Sequence, residues 1–119
     1  MIIIDTNVWV SFFKGEKRVA HLKEMIIDGE VVMHPYVFGE LLLGGINQKA
    51  QEMLRQLAQA GIVSPDLVFR FIIENKLKIK GIGWVDTGIL ASALHDNHLV
   101  YTFDENLAVV CREFDCHIN

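Results

Sequence analysis

The chain has 119 residues, 51% of them hydrophobic, enough for one domain (1–119) whose core needs no staples. Its 15 acidic against 11 basic residues, a formal net charge of −4, exclude nucleic-acid binding by bulk electrostatics, so any such activity must use a metal ion or a local patch. Cys111 and Cys116 match neither a disulfide framework nor a Cys-x-x-Cys hook and are read as reduced and structural.

Ile2-Ile3-Ile4 is a β-branched run closed by Asp5-Thr6-Asn7, the pattern of a buried strand feeding a turn and a helix. It lacks a basic flank and falls far short of the roughly 7–15 residues of a secretory core, so it reads as a strand rather than an address. A helix is predicted over Val8–Lys14, stopped by Gly15, and another over Val19–Asp28, stopped by Gly29. Val31-Val32-Met33 is a second buried strand. His34-Pro35 opens a helix to about Leu43, ended by Gly44-Gly45, and Asn47 caps the next one, through Leu57 or Ala60. Ile62-Val63 is read as a weak third strand. Ser64-Pro65-Asp66 starts a helix to about Asn75, and Lys76–Lys80 is a connector ending at Gly81. Val85–His95 is a buried helix, Leu99–Tyr101 a strand, Glu105–Glu113 a helix, and a last strand lies around Cys116-His117-Ile118. No run approaches the roughly 20 apolar residues of a membrane helix, so a soluble, cytoplasmic protein with no membrane partner is expected.

Short strands alternating with helices imply a parallel α/β sheet, since helices supply the crossovers that parallel neighbours need. Function in such sheets gathers at the carboxyl ends of the strands. That rule selects among the acids. Asp5 follows the first strand, Asp104 follows Leu99–Tyr101, and Asp86 sits in the first turn of the buried helix before that strand. Glu40, between apolar neighbours in Tyr36–Leu43, is on a helix that follows the second strand and can reach the same edge. Singly, each has a plain alternative: Asp5 ends a strand, Asp86 favours a helix start, Asp104 begins a turn, Glu40 faces water. Together they require a cation, because two carboxylates about 4 Å apart repel by roughly 4 kcal/mol at an effective dielectric of 20. Oxygen ligands without a paired His or Cys suit Mg²⁺ or Mn²⁺, which activates water and shields a phosphate in an in-line displacement.

Ile4-Asp5-Thr6-Asn7, Glu40 in its apolar helix, Gly81-Ile82-Gly83-Trp84-Val85-Asp86 before Leu90-Ala91-Ser92-Ala93, and Thr102-Phe103-Asp104 together resemble the PIN-domain family along nearly the whole chain. The Gly-x-Gly-Trp-Val-Asp block is similar to one branch of VapC-type toxins and is more specific than the opening Asp-Thr-Asn. The resemblance implies a three-layer α/β/α sandwich with a parallel sheet of four to five strands and an acidic Mg²⁺ or Mn²⁺ pocket. It further implies endoribonuclease activity, homodimers, and a cognate antitoxin that blocks the site. Asp5, Glu40, Asp86 and Asp104 match the family's acidic motif. Phe103 departs from it, since many relatives carry a basic or polar residue there, and a histidine is frequent in that branch near Gly88. The expected chemistry is hydrolysis of RNA by water activated on one or two Mg²⁺ ions, leaving a 5′-phosphate and a 3′-hydroxyl. The alternative is a PIN fold kept as a catalytically silent binding or scaffold module.

Asn7 and Thr6 either hydrogen-bond metal-bound water or orient Asp5, while Thr6 equally suits a helix cap. Thr102 either holds metal-bound water or the Asp5 carboxylate, as the family's Thr or Ser at that place suggests, or merely suits a strand. His95 and His98 make at most half a zinc site and are better explained as a helix end. Lys76, Lys78 and Lys80, with Lys14, Lys17 and Arg18, either track an RNA backbone or are solvated surface. Trp9 and Phe13, an i, i+4 pair, are read as core before partner face. A phosphoacceptor receiver domain would need an acid pair after the first strand and a late lysine, and a haloacid-dehalogenase-like phosphatase would need an Asp where Asn7 stands.

Overall fold

The computed structural model describes residues 1–118. Five strands, β1 (Ile2–Ile4), β2 (Val31–Met33), β3 (Ala58–Gln59), β4 (Leu99–Tyr101) and β5 (His117–Ile118), form one sheet in the order β3-β2-β1-β4-β5, with every pair parallel. Among the described residues, seven α-helices supply the crossovers: α1 (Thr6–Phe13), α2 (Leu22–Ile27), α3 (Pro35–Leu43), α4 (Gln48–Arg55), α5 (Pro65–Glu74), α6 (Trp84–Asp96) and α7 (Glu105–Glu113). The α/β alternation read from the sequence is therefore the architecture found.

β1 is central because it is the most apolar strand: Ile2, Ile3 and Ile4 are buried, in register with Val31 and Val32 on one side and Leu99, Val100 and Tyr101 on the other. Burial of a side chain such as Ile3 contributes roughly 1.5–3 kcal/mol. Val8 and Trp9 from α1, Val37 and Leu41 from α3, Ile89 and Leu90 from α6, and Leu107 and Val110 from α7 complete the same core. Trp9 is fully buried in the core, as expected, while Phe13, stacked on it at 5.8 Å between ring centroids, is exposed at the surface.

Three boundaries differ from expectation. The third strand is Ala58–Gln59, not Ile62–Val63: α4 stops at Arg55, and the chain returns to the sheet at once, pairing Ala58 with Val32 and Gln59 with Met33. An edge strand with exposed side chains carries no apolar signal, whereas Ile62, expected in the sheet, is exposed. The segment Val19–Asp28 is broken into a 3₁₀ turn over Lys17–Val19 and the short α2. The Lys76–Lys80 connector likewise holds a 3₁₀ turn, Leu77–Ile79, with Leu77 buried.

Strand order reverses beside β1, whose neighbours β2 and β4 are reached by crossovers in opposite directions. Chain therefore diverges at the carboxyl ends of β1 and β4 and leaves a crevice there.

Candidate active site

The crevice receives Asp5 from the end of β1, Asp104 from beyond β4, Asp86 from the first turn of α6 and Glu40 from α3. Asp5 is the N-cap of α1: its Oδ1 accepts from the Thr6 N–H at 2.8 Å, and its Oδ2 accepts from the Thr102 hydroxyl at 2.7 Å. Asp104 is the N-cap of α7, with Oδ1 accepting from the Leu107 N–H at 2.8 Å. Thr102 also accepts from the Asp104 N–H at 3.0 Å, so one hydroxyl joins the two aspartates. Asp86 is the third residue of α6, in the first turn after the N-cap Gly83. Capping and a site position thus coexist in the same side chains, rather than competing as the sequence alternatives suggested.

Glu40 is exposed, and the Thr6 hydroxyl donates to its Oε1 at 2.6 Å. Thr6 therefore positions Glu40 and does not cap α1. Asn7 Oδ1 accepts from the Phe103 N–H at 3.2 Å and ties α1 to the turn after β4. Gly81, at φ 73°, lies against α7: its carbonyl accepts from Asn106, and a Cβ there would stand 2.9 Å from Asn106 Nδ2. Only glycine suits that close approach, which sets the start of α6 beside α7.

The electrostatics are those of crowded acids. Asp5 is 5% exposed, and burial holds its carboxyl above the usual range, with Glu40 and Asp104 adding to the rise; the bonds from Thr102 and Thr6 act the other way. Asp86 is pushed up to about 6, first by burial and then by the charges of Asp5, Asp104 and Glu40. Among the described residues, no three His, Cys, Asp or Glu side chains stand at the spacing that closes around one ion. The donor chemistry nevertheless fits a hard divalent cation: four carboxylates, no imidazole or thiolate, and acids whose mutual repulsion a cation relieves. Asp5 and Asp104 keep unused oxygen lone pairs, and Glu40 keeps Oε2.

The remaining sequence candidates lie elsewhere. His95 pairs with Asp96 at 2.9 Å, and neither it nor His98 joins a group of three possible ligands among the described residues. Cys111 and Cys116 are free and buried, joined through the backbone by the Cys116 N–H donating to the Cys111 carbonyl at 2.8 Å. Lys80 pairs with Glu113 at 3.2 Å. Two contacts had no sequence signal. Arg18 lies over the Phe103 ring at 4.1 Å, which brings a cation beside the turn that carries Asp104. Tyr36 covers Gly88 so closely that a Cβ would be 2.7 Å from its Cε2, which leaves no room for a side chain at 88 while the ring stays in place.

The PIN domain family model matches residues 2–113. Ribonuclease VapC32 of Mycobacterium tuberculosis is 35% identical over 116 residues, covering 95% of this chain and 92% of the relative. Among solved structures, FitAcB from Neisseria gonorrhoeae superposes with a TM-score of 0.69 at 22% identity, over 100% of this chain and 97% of that one. FitAB bound to an IR36 DNA fragment gives a TM-score of 0.67, also at 22% identity, over 94% and 91%. The fold, the matched residues and the VapC relative agree: the chain belongs to the PIN-domain family, among its VapC-type members.

Proposed function

We propose that this protein is a divalent-metal-dependent endoribonuclease and the toxin half of a toxin and antitoxin pair. The observation that carries the reading is the convergence of Asp5, Glu40, Asp86 and Asp104 on one crevice, with Thr6 and Thr102 holding two of them. The relative that is 35% identical is named a ribonuclease, which supports RNA as the substrate.

Asp5, Asp86 and Asp104, with Glu40 directly or through water, would hold Mg²⁺ or Mn²⁺. Bound there, such an ion lowers the pKa of water and offsets phosphate charge. The protein's own part is positional. The ends of β1 and β4 fix Asp5 and Asp104, the α6 start fixes Asp86, and Thr6 draws Glu40 inward. Without a cation the four carboxylates repel a phosphodiester, so binding of ion and substrate is coupled. A 5′-phosphate and a 3′-hydroxyl are the expected product ends.

The cognate antitoxin blocks this site, and two copies of the chain associate. Phe69, Ile73, Ile79 and Trp84 are exposed on α5, the 3₁₀ turn and the start of α6, with Phe69 and Trp84 paired at 5.5 Å. Apolar surface of that kind supports docking of a partner. No helix among the described residues is long and apolar enough to cross a membrane.

Incubation of purified protein, freed of any bound inhibitor, with total bacterial RNA tests the proposal. Discrete fragments are expected with Mg²⁺ or Mn²⁺ and none with EDTA. Intact RNA under both conditions, with no metal binding by calorimetry, would place the protein among catalytically silent PIN modules.

A further inference from the structure

A cavity of about 440 Å³ opens beside the acidic cluster, between the end of β4, the outer face of α7 and the edge strand β5. Its volume lies within the roughly 300–1,000 Å³ typical of small-molecule pockets. It shares Thr102 with the cluster, the same residue whose hydroxyl bonds Asp5. The lining changes in character from one end to the other. Phe103, held by the Asn7 bond to its N–H and by Arg18 over its ring, stands next to the acids, and Ala108 and Val109 add apolar surface. Arg112 and His117 stand on α7 and β5. Arg112 is exposed and makes no ion pair among the described residues. Glu105 contributes a carboxylate to the wall.

We infer that this cavity is a subsite for one nucleotide of single-stranded RNA beside the scissile phosphate, with the base against Phe103 and Val109 and its phosphate toward Arg112 and His117. The inference rests on the ribonuclease reading and adds to it where the substrate is recognised. An aromatic ring with apolar neighbours is what an unstacked base takes as a platform, and a guanidinium is what a phosphate takes. Burial and neighbouring Arg112 hold His117 below its ordinary range, so it meets the ligand as a neutral imidazole able to hydrogen-bond. Glu105, an acceptor, favours bases that present an exocyclic amino donor over uracil, which has none and whose single ring N–H lies between two carbonyls. A chain of net charge −4 does not hold RNA by bulk electrostatics, so a local pocket of this kind is where affinity would be concentrated.

The test measures binding of 5′-fluorescein-labelled hexaribonucleotides that differ in one base, by anisotropy at low ionic strength with Ca²⁺ in place of Mg²⁺ or Mn²⁺, so that the carboxylates are neutralised. Val109→Trp, which fills the cavity from an exposed position, and Arg112→Ala are expected to weaken binding fivefold or more, with thermal melting like that of the native protein. Glu105→Gln is expected to change the order of preference among bases. Binding unaltered by all three substitutions overturns the subsite, and native RNA cleavage in the same preparation shows that the nuclease reading survives that failure. Binding that responds to the substitutions while native protein cleaves nothing supports the subsite and counts against the nuclease. RNA binding unchanged, together with loss of a co-purified protein from the variants, assigns the cavity to that partner and overturns the inference.

Discussion

The Thr102 hydroxyl donates to Asp5 Oδ2 at 2.7 Å across 97 positions of sequence, and both residues are buried. The same oxygen accepts from the Asp104 N–H. Thr102→Val keeps the shape but leaves a buried carboxylate oxygen and a backbone donor without a partner, at a cost of about 1–3 kcal/mol. A lower melting temperature and a cleavage rate reduced tenfold or more are expected, with both largely restored in Thr102→Ser. A melting curve and rate for Thr102→Val equal to the native ones would show that the hydroxyl has no such role.

Asp86 should make the metal-free protein less stable than it could be. Its folded pKa is raised to about 6, so the folded state holds a proton that the unfolded chain releases near 3.8. The resulting destabilisation is absent below about pH 4 and complete above about pH 6. After allowance for solvent screening of a partly exposed group, it amounts to about 1 kcal/mol. Asp86→Asn is therefore expected to melt higher than the native protein at pH 7 in EDTA and to lose most of the stabilisation by Mn²⁺. Equal responses of both proteins to Mn²⁺ would remove Asp86 from the ion's ligands.

Gly88 and Tyr36 form a coupled pair. Alanine in a helix normally gains about 1 kcal/mol over glycine, but here the new Cβ would meet the Tyr36 ring at 2.7 and 3.1 Å. Tyr36 is itself packed edge-on to His34 at 4.8 Å, so moving the ring disturbs a second contact. Gly88→Ala should destabilise by about 1 kcal/mol in the native background and stabilise in a Tyr36→Ala background. Denaturant titrations of the four proteins measure the coupling, and additive effects would mean that the ring moves aside freely.

His34 is inaccessible, and its hydrogen bonds specify one neutral tautomer. Ser92 Oγ donates to the Gly61 carbonyl at 2.8 Å, so it accepts from His34 Nε2–H at 2.9 Å, while His34 Nδ1 accepts from the Tyr36 N–H at 3.0 Å. Burial lowers the pKa to about 4. The unfolded chain takes up a proton near 6.5 that the folded one refuses, so stability is full above about pH 6.5 and declines as pH falls toward 4, by about 2–3 kcal/mol. A neutral His34 imidazole at pH 5 by NMR is expected, together with a flatter stability profile between pH 4 and 6.5 in His34→Gln. A His34 resonance titrating near 6.5 would contradict the assignment.

Much of this was legible in the residues themselves. β1, β2 and β4 announced themselves because short unbroken apolar runs mark strands buried on both faces of a parallel sheet. Asp5 and Asp104 could be placed at the sheet edge for the same reason, since each directly follows or closely trails such a run. β3 could not be read, because an exposed two-residue edge strand takes its position from the backbone of β2 and not from its own side chains. Thr6 left two roles open, a support of the site or a helix cap, and only the packing of α1 on α3 brings Glu40 within reach of its hydroxyl. Arg18 over Phe103 spans 85 positions, and no local pattern signals such a contact.

On the proposed reading, the four convergent carboxylates make this PIN domain a metal-dependent ribonuclease. Cleavage of total bacterial RNA by native protein, Asp5→Asn and Asp86→Asn, each with Mn²⁺ and with EDTA, tests it most directly. Fragments with 5′-phosphate ends, formed only by the native protein and only with the metal, are the predicted result. Fragments that persist in EDTA, or that both folded variants produce at the native rate, would contradict it.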